Sequence, residues 1–257
     1  MADASIYPQL TITRIQNPNK MWAIPIFGFV AKRIILIPVF IEVGFVAIYL
    51  FFLLIINSFI VLFTGRYWPY CYQMNLGVLR LIAKIGFFVS GLTDKYPGFG
   101  FVIQDNFSLD MAYPEHPNRL FAIPVFGILA RLILLIPFLI YLGIIGAGAR
   151  LGMVVSFVPV LFKGNYPETT FELNRDSTRL GFSSSLYFAG LSDAYPSFKI
   201  ATTHMTGKII LIILGVLLSG GQAANDNGNK AKYDFGNRFQ DQIQNQQPPT
   251  SGPGDLI

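Results

Sequence analysis

The sequence predicts an all-α integral membrane protein of two tandem homologous units, each a long transmembrane helix plus an amphipathic interfacial helix. Three observations lead there. Of 257 residues, 53% are hydrophobic and only 13% charged, against roughly 25% charge in an ordinary soluble chain. Two stretches, residues 34–63 and 132–162, are long and nearly free of charge. Finally, residues 19–99 resemble residues 118–198 at a constant offset of 99.

The composition also excludes. So much apolar mass argues against a disordered chain. One cysteine, Cys71, allows no internal disulfide framework and no cysteine-rich metal site. The net charge of +5 says little about nucleic acid, because the basic residues flank apolar segments. No nucleic-acid partner and no cofactor are expected. The first 20 residues include Asp3, Pro8, Arg14 and Pro18 and hold no continuous apolar core, so no cleavable signal peptide is expected.

In residues 34–63 only Glu42, Asn57 and Ser58 are clearly polar, and residues 132–162 carry one charge, Arg150. A spanning helix needs about 20 apolar residues for a core about 30 Å thick. At about 1.5 Å per residue each stretch reaches about 45 Å, so tilt, kinks or extension into the headgroups is expected. Pro38 and Pro137 fall in the first turns, where proline costs least. Re-entrant pairs of half-helices are the alternative.

The repeat includes polar positions, which shared greasiness does not explain. Asn19 matches Asn118, Phe27-Gly28 matches Phe126-Gly127, Lys32 matches Arg131 and Pro38 matches Pro137. Further on, Gly65, Tyr67, Asn75, Arg80, Asp94, Tyr96 and Pro97 match Gly164, Tyr166, Asn174, Arg179, Asp193, Tyr195 and Pro196. Internal duplication is therefore the strongest organisational signal. It divides the chain into an N-terminal segment (1–18), repeat unit 1 (19–99), a linker (100–117), repeat unit 2 (118–198), a short hydrophobic segment (199–221) and a polar, largely disordered tail (222–257).

Within each unit a proline-containing lead-in and a basic residue precede the long helix. A glycine turn with interface-seeking aromatics follows, TGRYWP at residues 64–69 and KGNYP at 163–167. A shorter helix comes next, around residues 75–91 and 174–190. Arg80 and Lys84 are four apart and share a face, and Arg179 and Ser183 repeat them. An amphipathic helix in the headgroup plane fits this pattern. A marginal second crossing is the alternative, with Arg80 and Lys84 in hydrocarbon. One crossing per unit would set the units facing opposite leaflets, two would set them parallel, and the basic residues do not arbitrate. The ten-residue apolar run at 209–218 is short for a span and suits an interfacial, re-entrant or partner-packed helix.

Arg150 stands out, because an uncompensated charge near the middle of a spanning helix is costly. With antiparallel helices it would lie within reach of Glu42, and a membrane-embedded Glu42–Arg150 pair is expected. Gly148 and Gly152 are four apart and form a close-packing face. Asp94 and Asp193 open paired D-x-Y-P segments and suit turn capping through backbone N–H groups. His116 and His204 are isolated, Asn106-Phe107-Ser108 meets the weak glycosylation pattern, and no nucleotide, zinc or hydrolase motif occurs.

These motifs resemble the DUF4389 family of prokaryotic membrane proteins. The resemblance runs through Phe63, Thr64, Gly65, Arg66 and Tyr67, then Arg80, Leu92, Thr93, Asp94, Tyr96, Pro97 and Phe99. In the second unit it runs through Gly164, Tyr166, Pro167, Arg179, Asp193, Tyr195, Pro196 and Phe198. Trp68 interrupts Tyr67 and Pro69, Leu81 stands where the family has tryptophan, and Gly98 or Ser197 replaces a second proline. Lys163 and Asn165 stand in copy two where the family has threonine and arginine. The resemblance implies two tandem copies, residence in a prokaryotic inner membrane, and no known catalytic residues.

The expected function is a non-enzymatic membrane scaffold or accessory subunit, in contact with lipid and with other membrane subunits or further copies of itself. The alternative is an oligomeric transporter, channel or lipid-moving protein with a polar path near Glu42 and Arg150. A membrane enzyme ranks third, for want of a reactive constellation.

Overall fold

A computed structural model describes residues 8–15, 18–24, 27–101, 107–115, 117–123 and 126–220. His116, Asn106 and the tail from 222 onward lie outside the described residues. Two compact units are formed, Met1–Gly215 and Val216–Ile257. Of the second, residues 216–220 are described, as the end of a helix.

Helices dominate. They are α1 (Phe27–Ile35), α2 (Ile37–Thr64), α3 (Pro69–Ser90), α4 (Phe126–Val155), α5 (Phe157–Lys163), α6 (Glu168–Phe188) and α7 (Met205–Gly220). Two 3₁₀ turns, Lys20–Ala23 and Arg119–Ala122, precede α1 and α4. The all-α expectation needs one amendment. Strands β1 (Gln9–Ile12) and β2 (Phe107–Asp110) form an antiparallel pair in which Leu10 faces Leu109. They were missed because each is four residues long, too short for a periodicity to register.

Proline sets the breaks between helices. Pro38, in the first turn of α2, offers no N–H to the turn before it, and the helix breaks at Leu36. Pro159 does the same in α5, and the break falls at Ser156. Ser156 Oγ lies there within hydrogen-bond distance of Gly152 O (2.6 Å) and Thr170 Oγ1 (2.8 Å), so its single proton has an acceptor. Pro137 lies inside α4 without interrupting it.

The helices Ile37–Thr64 and Phe126–Lys163 (α4 and α5 together) are long and apolar enough to cross a membrane. Only 11% and 22% of their most apolar windows are buried. Phe45, Phe51, Phe52, Phe63, Ile133, Ile140 and Phe162 are among the large side chains left exposed. A core helix of a soluble domain would cover such residues.

The shorter helices depart from expectation. They begin earlier than the pattern suggested, at Pro69 and Glu168, and they do not lie apart in a headgroup plane. Helix α3 returns antiparallel along α2. Cys71 packs near Leu53 at one end, and Leu81, Ile85 and Phe88 cluster with Leu36 and Val39 toward the other. Helix α6 returns along α4 in the same manner. Thr170 touches Gly152, Asn174 Nδ2 donates to Ala149 O (3.2 Å), and Leu180 and Tyr187 meet Leu135 and Phe138. The Arg80/Lys84 face that suggested a headgroup helix is covered by protein. Lys84 is 1% exposed and donates to Gly100 O (2.8 Å). Arg80 donates through Nε to Leu109 O (3.1 Å) and pairs with Asp110 (2.6 Å). Two basic residues one turn apart signal water only when no later segment answers them.

A central core joins both halves. It includes Leu53, Tyr67, Phe87 and Leu109 with Val160, Tyr166, Phe182 and Leu186. The C-terminal end of α2 packs on the 3₁₀ turn before α4, and α5 packs on the one before α1. Through Leu211, Ile212 and Gly215, α7 seats on the small-residue face of α4. A Cβ on Gly148 would meet Ile212 Cα at 2.7 Å, and one on Gly152 would meet Thr170 Cγ2 at 3.2 Å and Leu211 Cδ1 at 3.5 Å. The apolar run at 209–218 thus belongs to a helix with a partner in its own chain.

Gly148→Leu should lower the thermal unfolding midpoint in detergent, at a cost of about 1–3 kcal/mol or more from overpacking. Gly143→Leu, on the same helix with nothing within 4 Å of its Cβ position, should leave the midpoint unchanged within about 0.5 kcal/mol.

Candidate functional site

Two clusters, built from residues 99 apart, close the start of each long helix. The chain enters each through a 3₁₀ turn capped by asparagine. Asn19 Oδ1 accepts from Met21 N (3.0 Å), and Asn118 Oδ1 accepts from Leu120 N (3.0 Å). Each asparagine offers its own backbone N–H to an aspartate far along the chain: Asn19 to Asp94 Oδ2 (2.5 Å) and Asn118 to Asp193 Oδ2 (2.7 Å). Immediately after the turns, Gly28 and Gly127 let the helix start approach the turn backbone. A Cβ at either would run into the carbonyl of Trp22 or Phe121.

The D-x-Y-P segments fasten the same clusters from the other side. Tyr96 OH donates to Ile35 O (3.3 Å) and Tyr195 OH to Leu134 O (3.1 Å). Pro97 and Pro196 are buried. Gly91 and Gly190, both at φ 75°, turn the chain out of α3 and past the end of α6, a region open to glycine at little cost. Leu92 N and Leu191 N then bond back to Phe87 O and Leu186 O, each at 2.9 Å.

Each cluster encloses a cation. Arg131 is 4% exposed. It donates to Tyr187 O and to Ser192 O (3.2 Å), and pairs with Asp193 Oδ1 (2.6 Å). Its guanidinium lies over Phe121 and Tyr187, at 5.0 and 5.3 Å from the ring centroids. Lys32 is also 4% exposed. Its ammonium lies over Phe88 (5.2 Å) and Trp22 (6.0 Å). Among the described residues it makes no hydrogen bond and no ion pair within 4 Å, although Asp94 is near enough to act on it electrostatically. Burial lowers the pKa of Lys32 below the usual lysine value, and Asp94 partly offsets this.

The lysine cluster also differs in being open. A cavity of about 450 Å³ lies between the first 3₁₀ turn, α1, the end of α3 and the α4–α5 break. Trp22, Lys32 and Asp94 line it, with Met153, Val160 and Tyr166 from the second half. Tyr166 OH donates to Ser90 O (3.2 Å), and burial pushes the pKa of its phenol up to about 12, so it stays a donor.

The expected sites are placed as follows. Gly65 and Gly164, at φ 69° and 66°, end α2 and α5. Arg66 is exposed. Tyr67 is 2% exposed, and its carbonyl accepts from Tyr113 OH. Arg179 donates to Lys199 O (2.8 Å). The Glu42–Arg150 pair is not formed. Glu42 Oε1 accepts from Gly100 N (2.8 Å) and its neighbouring cation is Lys84, while Arg150 is exposed on α4. The pairing argument left out Gly100, whose backbone N–H reaches Glu42. His204 is exposed and lies 3.6 Å from Glu168. No cluster of metal-ligating side chains occurs among the described residues.

Sequence reading noted that Lys32 matches Arg131 but did not single the pair out as a site. The signal was present: a basic residue kept at one register position, directly after Ala31 and Ala130.

Residues 127–199 match the profile of the family described as "Domain of unknown function (DUF4389)". The match covers the second half, from Gly127 through the Asp193-containing segment. No curated protein and no solved structure matches the chain.

Asp193→Ala strips Arg131 of its carboxylate and Asn118 of an acceptor, and should cost about 3–5 kcal/mol. Asp94→Ala strips chiefly an acceptor from an exposed backbone N–H and should cost about 0.5–1.5 kcal/mol. Thermal unfolding of the two variants in one detergent checks the order. Lys32→Met should stabilise at neutral pH, because the charged lysine is disfavoured by burial in the folded state and not in the unfolded one. As pH rises from the folded-state pKa toward about 10.5 the wild type loses this handicap, so the gain should shrink. Paired melts at pH 7 and pH 10 measure it.

Proposed function

We propose that the chain is an integral membrane protein of two homologous halves that works as a non-catalytic scaffold or accessory subunit. The carrying observation is the surface of α2 and α4–α5, which exposes large apolar side chains along most of its length. Such area is stable only against hydrocarbon or another apolar protein face. Duplication is supported by the recurrence, 99 residues apart, of the asparagine cap, the aspartate acceptor, the tyrosine tie and the enclosed cation. The Leu10–Leu109 pair fits an approximate two-fold axis, since these two residues are themselves 99 apart.

The motif residues support a structural role. Asp94, Asp193, Tyr96, Tyr195 and Arg80 are all engaged in internal bonds. Surface left for function is the apolar flank of the long helices, which suits lipid and companion subunits in a membrane such as the prokaryotic inner membrane.

Each long helix ends beside the other's start, so the two would cross in opposite directions. A second reading has both lying within one leaflet. It is favoured by non-helical backbone beside α3, where Gly100 meets Lys84 and Met111, just past β2, meets Tyr72. Non-helical backbone is tolerated at membrane depth only where protein or water covers it.

Carbonate washing should leave the protein in the membrane pellet, and release into the wash would remove the membrane reading. In a Cys71→Ala background, Arg66→Cys and Lys163→Cys should react with an impermeant maleimide from opposite sides of sealed vesicles. Labelling from one side only would favour the single-leaflet reading. Extraction in a mild detergent should recover the chain in a larger assembly, and a stable lone monomer would defeat the scaffold proposal.

A further inference from the structure

We infer that the cavity at Lys32 is a binding site for an anionic single-chain or double-chain amphiphile, its acidic headgroup on the Lys32 ammonium and an acyl chain along the apolar wall. The inference rests on the membrane reading above for its supply of ligand. Its chemistry stands on three separate observations.

The first is a donor that faces the cavity. Proteins normally pair or hydrogen-bond an ammonium held among apolar groups. Arg131, its counterpart in the second cluster, has carbonyls and a carboxylate around it. Lys32 has three donors and, among the described residues, only aromatic faces against them, with Asp94 beyond ion-pair distance. Asp94 is meanwhile held by Asn19 N–H. A phosphate or carboxylate oxygen would supply what Arg131 receives from Asp193.

The second is the cavity itself. About 450 Å³ lies within the range of small-molecule sites, and its wall is overwhelmingly apolar. Trp22, Met153, Phe157 and Val160 supply the hydrocarbon side, with Lys32, Asn19 and Asp94 among the few polar residues. Such a wall selects an amphiphile over a small inorganic anion, and with Asp94 accepting from Asn19 N–H, Lys32 is the group left to meet an acidic head. The third is access. Val30 and Val154 line the cavity and are 46% and 58% exposed. They continue the apolar surface of α1 and α4, so a chain reaches the cavity from hydrocarbon without crossing water.

Trp22 reports on occupancy directly. The chain has two tryptophans, and Trp68→Phe leaves Trp22 as the sole emitter. The full-length variant in dodecyl maltoside is titrated with dibromostearate, with dibromostearoyl phosphatidic acid and with the uncharged dibromostearoyl glycerol. Saturable quenching is expected with at least one of the two acids, and about tenfold weaker with the uncharged ester. Dibromostearate alone would mark a fatty-acid site, phosphatidic acid alone a phospholipid site. Lys32→Gln should weaken the acid about tenfold and leave the uncharged ester unchanged, while Lys32→Arg should restore it. Thermal melting confirms that Lys32→Gln is folded. Equal quenching by all three lipids, quenching indifferent to Lys32, or none at all would overturn the inference. Carbonate washing reports on the membrane reading independently, so the two failures are distinguishable.

Discussion

At Asn19 and Asn118 the backbone N–H donates to a carboxylate 75 residues later, which ties two distant parts of the chain together. The rest of the architecture depends on this constraint. The bond fixes the loop after each shorter helix to the turn before each long helix, so the two helices between them must fold back on each other. Once they do, α3 and α6 lie against α2 and α4, and the tyrosine ties and left-handed glycines fall into place. An aspartate is suited to the task because it also answers a cation: Asp193 holds Asn118 N–H with one oxygen and Arg131 with the other.

The two clusters share this frame and diverge in their cation. A guanidinium has a fixed fork of donors, and Arg131 reaches two carbonyls and a carboxylate at once. An ammonium is compact and depends on what lies immediately about it, and at Lys32 that is mostly aromatic carbon. One cluster is consequently closed by its own side chains, and the other is left with a cavity.

What the sequence made readable and what it hid divide along a physical line. Apolar length was readable, because a run such as 34–63 leaves few structures other than a long exposed or buried helix. The offset of 99 was readable, because polar matches such as Asn19 with Asn118 survive only where geometry needs them. The direction of the shorter helices was not. Arg80 and Lys84 looked like a wet face, and their partners Asp110 and Gly100 lie in a segment with no periodicity of its own. Glu42 was misassigned for the same reason: its acceptor role toward Gly100 N–H is a tertiary fact. The small-residue face at Gly148 was readable as a contact surface, though its occupant, α7, was not.

The strand pair adds an order in time. Strand β1 is synthesised before both its pairing partner β2 and its other neighbour, α6. Until Asp110 has been added, the ladder bonds of Gln9–Ile12 to β2 cannot all form. The two strands must therefore reach the same side of any membrane that the long helices cross for the pair to close. Removing β1 would strip a wall from both halves of the protein, because Ile12 sits in the core with Leu53 and Phe87 while β1 also lines a cavity with Arg175, Asp176 and Arg179.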